Sequence, residues 1–511
     1  MNCLRSLLFA SAACALLAAP GLLPRAAAAA GDLDLTFGGT GKVTTDIGPY
    51  SDFANSVVVQ SDGKIVVAGQ TNNTTGADFA VVRYNANGTL DSSFGSSGKV
   101  TTDINGSGDS GNGVAVQGDG KIVVAGITSI GPDSDVAVAR YDASGNLDLS
   151  FGGTGKVTTG IGNLYDGANS VAVQTDGKIV VAGYSVGATY DFAVVRYNPD
   201  GSLDTSFNGT GKVTTDFGGN SDFGYTVRIQ SDGKIVVGGS SSNDNTTSYN
   251  FALVRYNVDG SLDTTFNGTG KVITAIGNGY CMSLQNGGKI VVGGSAKPGG
   301  NEDIAVARYN ANGSLDTSFN STGVVTTDVG GNDHANSVAV QDDGKIVVVG
   351  ASGTAHSAFA VVRYNADGSL DTSFHGTGKV TTVVTSINSA SDSAYSVALQ
   401  SDGKIAVSGG SGSAGGYAFA VVRYLGGEPV NTPPTLLYPS SPFLVEASSP
   451  AGALVSLQVS ASDEEDGNLV PTVAPMSGST FALGDTTVNV SATDSNGATV
   501  NGSFVVRVRD T

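Results

Sequence analysis

The chain has 511 residues, 74 of them glycine and none tryptophan, with 40% hydrophobic residues, 14% charged residues and a formal net charge of −19. This acidic surplus excludes a nucleic-acid or anionic-membrane surface built on net charge, because both partners are polyanions. Hydrophobic residues in alternating runs exclude a disordered chain, and Gly turns among Val, Ile, Thr, Phe and Tyr point to many short strands.

Residues 1–30 read as a secretory signal peptide. Arg5 supplies the positive start, residues 7–23 are mostly apolar, and alanines 26–30 offer small-residue cleavage sites. Pro20, Gly21 and Pro24 interrupt this short stretch, and no later segment is long enough for an integral membrane span. The expected location is therefore secreted, cell-surface or periplasmic. Cys14 follows Ser-Ala-Ala and lacks the Leu of a lipoprotein processing site. Cys3 and Cys14 leave with the signal, so Cys281 remains alone, reads as a buried small side chain and has no disulfide partner in the chain.

From residue 31 to 427 one phrase recurs seven times: a strand-like run ending in Arg-Tyr, then a Gly turn and Leu-Asp-x-[Ser/Thr]-Phe. Its arginines are Arg83, Arg140, Arg196, Arg255, Arg308, Arg363 and Arg423, a period of 53–60 residues. Self-similarity at this length marks a propeller or solenoid. Each copy holds four strand candidates, in the first copy residues 55–60, 64–68, 79–84 and 99–102. The first two are joined by Asp62-Gly63, and Asp-Gly returns in five further copies, with Gly287-Gly288 in the fifth. Such turns need the positive φ that Gly accepts. The Ile-Val-Val run is apolar on both faces, as a strand sandwiched between stacked sheets must be.

The ends of the repeat region supply a phase. Leu33 to Thr45 contains a lone fourth strand, whereas the last copy stops after its third. The predicted fold is all-β, a seven-bladed β-propeller closed by an N-terminal strand that removes the exposed edges. Arginine and aspartate follow the same rule. Arg83/Asp91, Arg140/Asp148, Arg196/Asp204, Arg255/Asp263, Arg308/Asp316 and Arg363/Asp371 all stand eight residues apart, while Arg423 has Asn431 at that offset and needs Asp34. One structural Arg–Asp pair per blade is predicted, the last bridging the two ends.

The pattern Val-x-x-Gln-x-Asp-Gly-Lys-Ile-Val-Val-x-Gly, followed by Phe-Ala-Val-Val-Arg-Tyr-Asn-x-Asp-Gly-Ser-Leu-Asp-x-Ser-Phe-Gly, resembles the bacterial delta-60 repeat family over residues 32–424. The resemblance implies secreted or surface proteins with propeller-like domains and no assigned activity.

Residues 428–434, with Pro429, Pro433 and Pro434, read as a stiff linker. Residues 435–511 abandon the repeat. Strand candidates at 454–460, 487–493 and 502–508 suggest a small immunoglobulin-like β-sandwich. The run from Ser477-Gly478 through Gly484-Asp485 to Asp494 resembles the hyalin repeat, which implies an extracellular adhesion module; Tyr438 and Ala474 stand about where that family carries cysteines.

No catalytic or cofactor site emerges. His334, His356 and His375 fall at different places in the repeat and form no triad or metal spacing, although they are free to meet at one rim. Gly38-Gly-Thr-Gly41-Lys42 lacks the spacing of a phosphate loop. Calcium has two candidate places: the cluster Asp463 to Asp466, and the repeated turn Asn365-Ala-Asp367-Gly368-Ser-Leu-Asp371, where Arg stands in place of the carboxylate such loops require. Segments 70–78, 127–135, 240–250, 295–303 and 411–417 vary between copies, and loops on a rigid scaffold carry specificity. Acids at Ser51-Asp52, Ser221-Asp222 and Asn332-Asp333 are candidates to ring the channel.

The expected function is an exported, monomeric, non-enzymatic binding or adhesion scaffold, with polysaccharide or a surface protein as partner and no cofactor. The alternatives are a metal-dependent hydrolase or lyase with its site in the channel, and a purely structural envelope component.

Overall fold

The computed structural model describes residues 29–510 except 106–107, 132, 163, 243–248, 354–355, 386–390, 414–415, 428–432, 464–466 and 495–496. The signal-like segment up to residue 28 and its Cys14, most of the linker, and Glu464 to Asp466 lie outside the described residues.

The repeats form a β-propeller of seven four-stranded antiparallel sheets. The first comprises Asp52–Val59, Ile65–Asn72, Ala77–Tyr84 and Lys99–Thr102 in sequence order. Its second strand is buried on both faces at Ile65, Val66, Val67 and Ala68, each 0% exposed, which explains the unbroken apolar run. Gly63 turns the first hairpin at φ +78°. Five later sheets repeat this order. The last takes Asp392–Leu399, Ile405–Ser413 and Gly416–Tyr424 from the seventh copy and Lys42–Thr45 from the start of the repeat region, with Thr45 opposite Phe419.

The opening strands of adjacent sheets pack against one another from Asp52–Val59 through Asp109–Val116, Asp166–Val173, Asp222–Ile229, Asn278–Gln285 and Asn332–Val340 to Asp392–Leu399, which packs back on Asp52–Val59. Each opening strand shifts register by one residue, as at Ala54/Ser56, and that extra residue bends the strand. Apolar side chains fill the joints. Between the first two sheets lie Val66, Ala68, Phe79, Val81, Ile122 and Val124. Burying each Val or Phe there stabilises by about 1.5–3 kcal/mol. A buried tyrosine also ties each joint to the preceding sheet, as Tyr141 Oη to Thr102 Oγ1 at 2.8 Å; Tyr84 does the same to Thr45 at 2.7 Å.

Beyond residue 434 the chain builds a second, smaller set of sheets. Phe443–Glu446, Thr499–Arg509, Gly484–Thr493 and Thr472–Ala474 make one sheet, in which the first two strands run parallel. Val455, Leu457, Phe481, Val488, Val490, Phe504 and Val506 form its core. The strand expected at 454–460 is two short strands, Ala453–Val455 and Ser460–Asp463, in different sheets. The break follows from Leu457, whose buried amide donates to Ser477 Oγ at 2.9 Å instead of to a neighbouring strand. Tyr438 stacks on Phe504 with 5.8 Å between ring centroids, while Ala474 is exposed. Among the described residues no helix is long and apolar enough to cross a membrane.

Candidate functional site

The two ends of the propeller differ in chemistry. At the end carrying the hairpin and Asn-Gly turns, each repeat arginine makes the same set of bonds. Arg83 Nε donates to Asp91 Oδ2 at 2.8 Å, and its Nη1 crosses to the carbonyl of Ala143 in the next blade at 2.7 Å. Its guanidinium lies 4.5 Å from the Phe94 ring centroid. The Nε–Oδ2 pairing is repeated by Arg140/Asp148, Arg196/Asp204, Arg255/Asp263, Arg308/Asp316, Arg363/Asp371 and Arg423/Asp34 at 2.7–2.8 Å. The crossing bonds go to Pro199, Val258, Ala311, Ala366, Gly426 and Ala86 respectively. Arg423 thus reaches the first blade.

These carboxylates are held below the usual range. Burial pushes Asp91 upward, but the Ser93 amide and hydroxyl and the Arg83 charge more than offset it. Asp148, set the same way by Ser150 and Arg140, falls to about 2. The turn considered for calcium is internally bonded: Asp367 Oδ1 accepts from Ser369 N and Oγ, and Asp371 accepts from Ser373 and Arg363. It is an Asx-type turn capped by an arginine clamp.

The acids at the start of the inner strands do not ring the channel. Asp52, Asp222 and Asp333 are each 0% exposed. Their Oδ2 atoms accept the backbone amides of Ile47, Phe217 and Val329 at 2.7 Å and so fasten the connection from the preceding sheet. Strand alternation is the reason: Asp occupies the buried face, and the next residue, Phe53, Phe223 or His334, occupies the other. The histidines share no partner among the described contacts. His334 Nδ1 lies 3.1 Å from Glu302 Oε2, His375 Nδ1 lies 3.3 Å from Asp32 Oδ1, and His356 is exposed. Cys281 is buried, and burial pushes its thiol up to about 12.

The channel-facing positions carry what the sequence reading missed. Asn55, Asn112, Asn169 and Asn336 each donate to a backbone carbonyl of the next inner strand, a structural role. At the corresponding places the fourth, fifth and seventh sheets have Tyr225, Tyr280 and Tyr395. From Tyr280 and Tyr225 a continuous run of rings extends outward through Phe223 to Tyr190 and Tyr184, on the third and second strands of the third sheet. Tyr184 and Tyr190 are 5.5 Å apart, Tyr190 and Phe223 4.7 Å, Phe223 and Tyr225 6.2 Å, and Tyr225 and Tyr280 5.7 Å. All five are partly exposed. They span the third to fifth sheets at the end where the variable loops emerge. The signal available in the sequence was departure from the repeat, since Asn gives way to Tyr.

Seven segments, residues 60–94, 117–151, 174–207, 230–266, 285–319, 341–374 and 400–426, match the family described as "Domain of unknown function (DUF5122) beta-propeller". No curated protein matches the chain. Among solved structures, similarity extends to PorZ, a bacterial surface component of the type-IX secretion system of Porphyromonas gingivalis, at 14% identity and a TM-score of 0.37, covering 95% of this chain and 61% of that one. The polysaccharide lyase Uly1 is similar at 12% identity and a TM-score of 0.41, covering 73% of this chain and 90% of that one. Sqt1 from Chaetomium thermophilum is similar at 11% identity and a TM-score of 0.39, covering 75% and 97%. The chain spans 61% of the length of the secretion-system component, and none of these likenesses carries a functional argument. The seven matched segments and the seven repeated sheets make this chain a β-propeller repeat protein.

Proposed function

We propose that the protein is an exported, non-enzymatic binding scaffold: a seven-bladed propeller closed by its N-terminal strand, with an immunoglobulin-like C-terminal module as spacer or adhesion unit. Its ligand is a neutral polysaccharide held across the loop end of the propeller. The observation that carries this reading is the aromatic run Tyr184, Tyr190, Phe223, Tyr225 and Tyr280. Aromatic faces stack on the apolar C–H faces of sugar rings, and a run of rings suits a chain of repeating units. The net charge of −19 disfavours polyanionic glycans. Export is supported by the signal-like first 30 residues.

Native affinity electrophoresis against soluble β-glucan, galactomannan and alginate tests the proposal. Retardation by a neutral polymer, lost in Tyr190→Ala and Tyr225→Ala, is the expected result. Equal mobility in all gels, or retardation untouched by both substitutions, overturns it. New reducing ends or unsaturated products during incubation would favour a hydrolase or lyase instead.

A further inference from the structure

Among the described residues, three aspartates converge at each of three joints on the loop end. They are Asp78, Asp103 and Asp109; Asp191, Asp216 and Asp222; and Asp303, Asp328 and Asp333. Within each trio one carboxylate oxygen from every residue lies within 4.8 Å of the others. The construction is the same each time. The first aspartate lies at the start of a third strand, the second follows the fourth strand of that sheet, and the third lies near the start of the next inner strand. Each trio therefore straddles two blades.

The trios are not a by-product of the repeat. The joint after the second sheet has Asp135 and Asp166 but Gly160 in the middle, and the joint after the fourth has Asn250, Ala275 and Asn278. At the joint after the sixth sheet, Ala358 and Val383 accompany a lone Asp392.

A second observation points to a missing partner. Asp109 and Asp333, 2% and 0% exposed, use Oδ2 to accept the amides of Ile104 and Val329. Their Oδ1 atoms are buried and have no hydrogen-bond partner among the described residues, and neither has Oδ1 of Asp191. Asp166, in the two-carboxylate version of the site, shares that feature, whereas Asp392 receives the Ser411 hydroxyl on Oδ1 at 2.6 Å. A buried anionic oxygen without a donor is costly.

Neighbouring charge makes it costlier. Burial, and after it the other carboxylates of the trio, push Asp78 and Asp303 above the ordinary carboxylate range. Asp191 is raised by burial and then by Asp216. The nearby lysines Lys156, Lys271 and Lys379 instead donate to the backbone carbonyls of Asp103, Asp216 and Asp328.

We infer that each trio is a binding site for one hard divalent cation, calcium by its all-oxygen donors, shared between two adjacent blades. Three carboxylates leave further positions of a six-to-eight-coordinate ion for water and backbone oxygen. Loaded sites would fasten the first sheet to the second, the third to the fourth and the fifth to the sixth at the same end as the variable loops.

Calorimetric titration of the full chain with calcium chloride after chelator treatment tests this directly. Three equivalents are expected, with one lost in each of Asp103→Asn, Asp216→Asn and Asp328→Asn, which alter the exposed member of each trio and leave the buried acids in place. The melting temperature should rise in calcium for the wild type and not for the triple variant. Absence of binding in the wild type, or a triple variant that titrates like the wild type, overturns the inference. If the triple variant does not fold, the single variants decide: unchanged stoichiometry in all three is equally fatal.

Discussion

Arg423 donates through Nε to Asp34, 389 positions earlier in the chain, at 2.8 Å, and through Nη1 to the carbonyl of Ala86 at 2.5 Å. One side chain thus holds the last repeat to the segment before the first repeat and to the first blade itself. Both partners of the ion pair are nearly fully buried, at 3% and 4% side-chain exposure. Removing one member of such a pair leaves an uncompensated buried charge. Asp34→Ala should therefore lower unfolding free energy by about 3–5 kcal/mol in urea denaturation. The exposed pair Arg507–Asp485 serves as the control, and Asp485→Ala should leave the propeller transition where it is.

Acid should unfasten the clamps late. A carboxylate whose folded pKa lies below its unfolded value stabilises the fold above that unfolded value, near 3.8, and the contribution is lost as pH falls through the folded value. For Asp148 the folded value is about 2. The melting-temperature difference between wild type and Asp148→Asn should stay constant from neutral pH to about 5, then shrink and vanish towards about 2. Asp52 has the opposite sign, because burial raises it. Its ionised form opposes folding as pH rises through its folded value, so the difference for Asp52→Asn should move the other way.

Gly201 turns the third copy at φ +88°, and a Cβ there would meet Gly152 N at 2.9 Å and Phe151 Cδ2 at 3.0 Å in the preceding blade. Gly201→Ala combines left-handed strain of about 1–2 kcal/mol with a steric conflict at the joint. The expected result is a lower denaturation midpoint. Gly209→Ala, also at positive φ but with open space around it, should cost only the strain.

Cys281 is buried, with its thiol pushed up to about 12, so almost no thiolate forms at neutral pH. With Cys3 and Cys14 replaced by serine, the folded protein should resist a thiol-specific chromogenic reagent, and Cys281 should react fully once denaturant unfolds the chain. Rapid labelling under native conditions would contradict the burial.

Whatever depends on local spacing was legible in the chain. Period, four strands per copy, Asp-Gly turns and the two-sided apolar run are all short-range, so Ile65 to Ala68 could be read as a strand covered on both faces. The eight-residue offset of Arg83 and Asp91 is likewise local. What lies across each joint was not legible there and came from the packing of the sheets. No spacing in the chain shows that Arg83 also reaches Ala143, or that Asp78, Asp103 and Asp109 meet. Nor could it say which face Asp52 and Asp222 take: strand alternation leaves two choices, and packing between sheets buried both on the amide of the preceding connection. The aromatic run from Tyr184 to Tyr280 belongs to the same class, because its rings come from three different sheets. Contacts within a repeat are set by a few covalent bonds, whereas contacts between repeats depend on twist, register and stacking that exist only once the sheets have assembled.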